Sequence, residues 1–327
     1  MYLAGLDIGG TKCAVLIGKE ENGKLRVIAK EKISSGKDLE PYDTMEKASV
    51  LIEKLCKKNA IDIKEIKAVG ISCGGPLDSK RGIIKCPPNL VLWDNIYITD
   101  FFEKRFNVPA YLCNDANACA LAENRFGAGK GSENMIFLTF GTGMGAGLIL
   151  NGKLYSGTCD LAGEAGHMRL SQNGPAGFGK TGSFEGWCSG GGITQTAYIA
   201  ALKKIQIGGS VGYYKIGENP ADISAKSVAE AAKAGDETAI EVYKEVGKKL
   251  GYAISILIDI LNPETIVIGS VFERSKELME SAMLDVIKKE ALAESGKVCV
   301  IKAAALGDEI GDIAALTCAY EAAKREI

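Results

Sequence analysis

Apolar and polar positions fall in alternating blocks along the chain, and the first block sets the pattern. Leu3-Ala4-Gly5-Leu6-Asp7-Ile8 reads as a buried strand, Gly9-Gly10-Thr11-Lys12 breaks it, and Cys13-Ala14-Val15-Leu16-Ile17-Gly18 resumes it. Strand, glycine turn and strand predict a hairpin whose tip is nearly free of side chains. Leu25 to Ile33 reads as a third strand after the turn Glu21-Asn22-Gly23-Lys24. Asp43-Thr44-Met45-Glu46 has capping-box spacing and opens an amphipathic helix running to about Lys58. A short strand, Ala68 to Cys73, ends in Gly74-Gly75-Pro76, and Thr99 caps a short helix to about Phe106. The strand Pro109 to Cys113 then runs into Asn114-Asp115-Ala116-Asn117-Ala118 and a helix to about Phe126.

After the linker Gly127 to Ser132 the same layout returns: strand Met135 to Phe140, glycine turn Gly141 to Gly147, strand Leu148 to Leu150. A strand–glycine turn–strand unit in each half predicts two related domains, with a small-molecule site in a cleft between them. Helices are readable near 193–205, 226–234, 236–261, 275–293 and 309–325, with strands Thr265 to Ile268 and Lys297 to Ile301 between them. The long helix stops at Asn262-Pro263. The class is α/β.

Composition narrows the function. At 327 residues the chain has room for about two domains. Hydrophobic residues at 46% and charged residues at 24% fit a folded soluble chain and exclude a disordered one. A formal net charge of −2 with scattered Lys and Arg argues against nucleic-acid or membrane-surface partners. Asp7 interrupts the first apolar run and Asp259 the longest one, so neither a signal peptide nor a membrane span is expected, and the expected location is the cytoplasm. The 10 cysteines lack Cys-x-x-Cys spacing and read as free thiols, mostly inside apolar strands and helices.

The hairpin tip at Gly9-Gly10 lets backbone N–H groups approach an anion, and Asp7 beside it could hold a cation against that anion. This points to a nucleoside triphosphate with Mg²⁺; an ordinary Gly-Gly hairpin turn gives the same pattern. Asn114-Asp115 stands where a strand meets a helix, a place where α/β sheets put ligand-binding groups. A carboxylate there can take the proton of a hydroxyl that attacks a phosphate, or simply cap the helix. Gly163-Glu164-Ala165-Gly166-His167 carries the single histidine, with groups able to bond sugar hydroxyls or merely to pack.

Two further matches mislead. Gly141-x-Gly143-x-x-Ala146 fits the dinucleotide fingerprint, but strand-like residues follow where a helix is required. Gly174 to Thr181 satisfies the P-loop pattern in full, with Lys180 in the lysine position. It lacks the preceding strand, and Gly182, Gly186, Gly190, Gly191 and Gly192 argue against the following helix. Lys180→Ala should therefore be nearly silent.

Taken together these stretches resemble the ROK family of sugar kinases, within the actin-like ATPase superfamily. Asp7-Ile8-Gly9-Gly10-Thr11-Lys12 matches its first phosphate motif and Leu138 to Gly145 its second. Pro88-Asn89-Leu90 with Trp93 resembles the sugar segment, Asn114 to Ala118 the catalytic stretch, and Ile266-Val267-Ile268-Gly269-Ser270 the adenosine motif. Gly163 to His167 matches the family's Gly-Glu-x-Gly-His, and the likeness covers nearly the whole chain in the family's order.

The resemblance implies two ribonuclease-H-like domains: 1–113 with a returning helix at about 309–327, and 114–308. It implies phosphorylation of a hexose or amino sugar, glucose-like and at the 6-hydroxyl, with Asp115 as general base. Asn89, Asn114, Glu164, His167 and Glu185 would hold sugar hydroxyls. Asp7 would organise Mg²⁺, with Gly9, Gly10, Thr11, Lys12, Thr142 and Gly143 around the phosphates of ATP and Gly269 at the adenosine. A homodimer is the implied assembly. A sugar or nucleotide sensor without catalysis is the alternative. The repressors of the family carry a helix-turn-helix for which Asp7, so early in the chain, leaves no room, so that role is not expected. The family's zinc-loop cysteines fall at Ala176, Phe178 and Ser183, ahead of Glu185, and a lone His167 does not hold structural Zn²⁺. Cys159 and Cys188 lack ligand spacing to it, so no zinc is expected, and Phe178, Phe184 and Trp187 are the candidates to pack that loop. The motifs do not distinguish one sugar from another.

Overall fold

The apolar blocks become strands. The computed structural model describes residues 1–36 and 39–325, so the last two positions of the helix expected at 309–327 lie outside it. The first hairpin is β1 (Tyr2–Ile8) with β2 (Lys12–Glu21), Ile8 facing Cys13, and β3 (Lys24–Ser34) follows antiparallel. Asn22 and Gly23 turn that second hairpin with φ of 54° and 72°, as an Asn-Gly turn requires.

Helix α1 (Pro41–Lys58) begins at a proline rather than at the capping box, with Glu40 in the cap place. Pro41 suits the first helical position because its missing N–H would have no partner there. β4 (Ile66–Cys73) then joins β1 in parallel. β5 (Leu77–Asp78), β6 (Ile83–Lys85) and β7 (Asp94–Tyr97) form a small antiparallel sheet. α2 (Ile98–Phe106) starts one residue before Thr99, with Tyr97 in the cap place. β8 (Ala110–Asn114) runs parallel to β4 and leads directly into α3 (Asp115–Phe126).

Beyond these come β9 (Met135–Leu138), the hairpin β10 (Ala146–Leu150) with β11 (Lys153–Tyr155), and a smaller hairpin of β12 (Ala176–Gly177) with β13 (Lys180–Thr181). Helices α4 (Phe184–Trp187), α5 (Gly190–Gln206), α6 (Ala225–Lys233) and α7 (Glu237–Leu261) follow. β14 (Thr265–Ile268), α8 (Val271–Glu290), α9 (Ala293–Val298), β15 (Val300–Ala303) and α10 (Ile310–Arg325) complete the order.

Two differences from the sequence pattern have clear causes. Residues 297–298 close α9 instead of starting a strand, because pairing with β14 begins only at Val300, opposite Thr265. The glycines at 190–192 do not prevent a helix; they form the first turn of α5, where Ser189 caps the Gly192 N–H at 3.0 Å.

The chain divides into two units, Met1–Gly131 with Gly147–Ala162 and Ala305–Ile327, and Ser132–Ala146 with Gly163–Ala304. In the first, the five-stranded sheet runs β3-β2-β1-β4-β8, with a core that includes Leu6, Val15, Ile52, Ile71, Trp93 and Phe102. α10 covers this sheet so closely that a Cβ on Gly70 would stand 2.1 Å from the Ala315 carbonyl oxygen, so only glycine fits there. In the second unit, β14 lies between β9 and β15, parallel to both. Six cysteines are buried, Cys119 and Cys299 are half-buried, and Cys86 and Cys159 are exposed. Among the described residues, no helix is long and apolar enough to cross a membrane.

Candidate active site

In the first unit, Asp7 and Asp115 reach the carboxyl end of one sheet from strands on either side of β4. Asp7 pairs in register with Ser72, and Asn114 with Cys73. The Asp7 carboxyl is pushed up to about 6 from an ordinary 3.8, first by burial and then by the negative charges of Asp312 and Asp115. Lys30 and Lys32 oppose the rise, and Lys30 also pairs directly with Asp312 at the start of α10. A buried acid among acids is a place where a cation would be welcome.

The tip itself is held from behind. Ser35 donates its hydroxyl to the Gly9 carbonyl at 2.7 Å and its N–H to the Thr11 carbonyl at 3.1 Å. Neither Gly9 nor Gly10 takes a left-handed φ. At Gly10 the requirement is space: a Cβ there would stand 2.6 Å from Asn89 Cβ. Asn89 lies on the turn Pro87–Leu90, closed by the Leu90 N–H donating to the Pro87 carbonyl and anchored by buried Leu90 and Trp93. Trp93 is thus a core anchor, with its indole wholly inside.

Asn114 is the cap of α3: its Oδ1 accepts the N–H groups of Ala116 and Asn117 at 3.0 and 3.3 Å. The capping role considered for this pair thus falls to Asn114. Asp115, exposed at the first position of the helix, accepts the Ala116 N–H through Oδ1 at 2.8 Å, and among the described residues no other hydrogen bond engages its carboxylate.

In the second unit, the turn at 139–145 and the segment 163–167 pack together. Glu185 Oε2 accepts the Met144 N–H at 3.0 Å, and it would stand 2.8 Å from a Cβ at Gly143. Glu164 and His167 are exposed on either end of a 3-10 turn, where the His167 N–H donates to the Glu164 carbonyl at 3.1 Å. Thr142 is exposed on the glycine turn. Gly269 follows β14 directly, its N–H donating to the Leu138 carbonyl at 3.0 Å. Phe140 and Ser270, at φ of 32° and 55°, carry left-handed backbone at the ends of these adjacent strands. Such strain gathers at ligand sites. No sequence signal marks Phe140.

The false P-loop is a β-hairpin. Phe178 and Gly179 form its two-residue turn, and Lys180 Nζ donates to the His167 carbonyl at 2.6 Å. Lys180 is therefore engaged by the backbone of a neighbouring segment. Of the three aromatic residues expected to pack this loop, Phe184 is wholly buried and Trp187 bonds Ser171 Oγ at 2.9 Å. Phe178 is 75% exposed and packs no core. Among the described residues, no group of three or more His, Cys, Asp or Glu side chains is placed to hold a metal ion by itself.

The family model described as "ROK family" matches residues 3–321. The chain belongs to the ROK family. It is 31% identical over 286 residues to a glucokinase of Thermotoga maritima, covering 85% of this chain and 84% of that protein. A xylose repressor of Caldicellulosiruptor bescii is 32% identical over 242 residues, 74% of this chain and 59% of the repressor. A ROK-family glucokinase of Streptomyces griseus, solved with glucose and AMPPNP, superposes with a TM-score of 0.73 at 27% identity, covering 98% of this chain and 100% of that one. The fold is that of the ROK sugar kinases.

One residue of this ROK chain escaped the sequence altogether. Glu123, wholly buried in α3, accepts the N–H groups of Ala128 at 2.7 Å and of Ala305 and Leu306 at 3.0 Å each. It ties the helix that begins with Asp115 to the approach of α10, whose Gly311 lies against Asp7, a Cβ there standing 3.1 Å from Asp7 Oδ2. Nothing in its sequence surroundings distinguishes it from a surface glutamate.

Proposed function

We propose that this chain is an ATP-dependent sugar kinase acting on a hydroxyl of a hexose or amino sugar, the primary one of a glucose-like ring. The observation that carries this is the arrival of Asp7 and Asp115 at one end of one sheet, beside the tip that meets Asn89. Asp115, with a carboxylate oxygen that no group among the described residues engages, takes the hydroxyl proton. The freed oxygen attacks the γ-phosphorus in line as the bond to the β-phosphate oxygen breaks, leaving ADP. The N–H of Gly9 is used by the Lys12 carbonyl at 3.0 Å, so we assign the phosphates to the N–H groups of Gly10 and Thr11 and to the Lys12 ammonium.

Asp7, with the nucleotide's oxygens as further ligands, would hold Mg²⁺, which supplies charge to offset the phosphates. Thr142 and Gly143 are assigned to phosphate, Gly269 to the adenosine, and Asn89, Asn114, Glu164, His167 and Glu185 to sugar hydroxyls. Support comes from the glucokinases among the relatives, one of them solved with glucose and a nucleotide analogue.

The repressor among the relatives favours one rival, a sugar sensor that transfers no phosphate. Coupled ADP release across glucose, mannose, N-acetylglucosamine, N-acetylmannosamine, allose and fructose separates them. Sugar-dependent release is expected. Thermal shifts with sugar and no release would leave the sensor.

A further inference from the structure

We propose that the β12–β13 hairpin is part of the sugar site, with Lys180 positioning His167 through its carbonyl and Phe178 offering an aromatic wall to the C–H face of a pyranose. This rests on the assignment of His167 to the sugar.

The turn carries the first clue. Phe178 and Gly179, at φ of 45° and 72°, are both left-handed, as a two-residue hairpin of this type demands. Asn, Asp or Gly is the favoured occupant of the first place, and a bulky side chain there is an outlier. The strain is not offset by burial, since the ring is 75% exposed. What the ring does meet is His167: their centroids are 5.3 Å apart and their planes 81° from parallel. A strained, solvent-facing aromatic set edge-to-face beside a polar ligand group is a surface awaiting a ligand.

The rest of the hairpin grips the same neighbourhood. Lys180 Nζ donates to the His167 carbonyl at 2.6 Å. Gly177 presses on α4, where a Cβ would stand 2.8 Å from Glu185 Cγ and 2.6 Å from the Gly186 nitrogen. One small hairpin therefore contacts two of the three side chains assigned to sugar hydroxyls in this unit, His167 and Glu185, and Lys180 holds the backbone of one of them. A pyranose offers the matching chemistry, hydroxyl edges for Glu185 and His167 and an apolar face for Phe178.

The test compares Phe178→Asn, Phe178→Tyr, Lys180→Met and Lys180→Arg in the full chain. Sugar KM and equilibrium sugar binding by calorimetry without nucleotide are both read. Phe178→Asn and Lys180→Met are expected to weaken sugar binding about tenfold, with kcat and the KM for ATP within about threefold of wild type. Phe178→Tyr and Lys180→Arg should restore most of the loss. Asn suits the turn, so Phe178→Asn should match or exceed the wild-type Tm, separating a lost contact from a lost fold. Unchanged sugar binding in both, or an equal loss in the conservative variants, overturns the proposal. So does a wild-type chain that binds none of the six sugars. Sugar binding without ADP release would refute the kinase while leaving the hairpin's role to be read from calorimetry alone.

Discussion

Asn89 occupies the space that any side chain on residue 10 would need, its Cβ 2.6 Å from where such a carbon would stand. The tip assigned to the phosphates and the segment assigned to the sugar are therefore one packed surface. Gly10→Ala should displace both together. Its KM is expected to rise for ATP and for sugar, with kcat/KM about 10²-fold lower for each. A change confined to ATP would show that the two segments move independently.

Asp7 sets a pH dependence whose sign follows from its raised carboxyl. Between about 4 and about 6 the folded, ligand-free chain keeps a proton that the unfolded chain has lost, so its stability falls as pH rises through that window. Asp7→Asn removes this slope. The variant is expected to gain on the order of 2 kcal/mol over wild type at pH 7.5, and far less at pH 4, in urea unfolding without nucleotide. A gain equal at both pH values would show that Asp7 ionises normally. Binding of Mg·ATP runs the other way, weakening as pH drops below about 6 because Asp7 must ionise to hold the metal.

Asp115→Asn keeps the shape of the helix start and removes the proposed base. It should lower kcat by about 10²–10⁴ with a much smaller change in either KM. Near-normal turnover in steady-state assays would assign the base elsewhere.

Glu123→Ala removes from the core the acceptor of three part-buried N–H groups at once. Chemical denaturation should show a loss of about 3 kcal/mol, with Glu123→Gln intermediate. A loss below about 1 kcal/mol would mean that water replaces the carboxylate.

The hairpin at 176–181 is closed by its own strand pairs and by Lys180, without a metal in its account. Metal analysis of the purified chain should find no stoichiometric zinc. Dialysis against a chelator, with Mg²⁺ then restored, should leave sugar binding unchanged. Stoichiometric zinc would contradict both.

Most of the fold was legible because its signals are local. Apolar runs such as 66–73 and 135–138 give the inner strands, and the Asn22-Gly23 turn gives its hairpin. The motif residues could be found the same way, since glycine tips and strand-end acids are short patterns. What was hidden depends on partners distant in sequence. The need for glycine at 10 comes from Asn89, the burial of Glu123 from the backbone at 305–306, and the engagement of Lys180 from a carbonyl at 167. The glycines at 190–192 misled for a related reason: their cost belongs to helix interiors, and they sit in a capped first turn.

The close fit of α10 over Gly70 also orders events in time. β1, β2 and β4 leave the ribosome long before the helix that lies on them, and their glycine-lined face stays bare until it arrives. Gly311 and Asp312 come with that helix, and with them the neighbours that set the proton on Asp7. A nascent chain halted after β8 would display every residue of the first phosphate motif, yet its acid would lack the Asp115 and Asp312 charges that help to raise it. Competence at the tip is thus conferred from the far end of the sequence, once both units have been made.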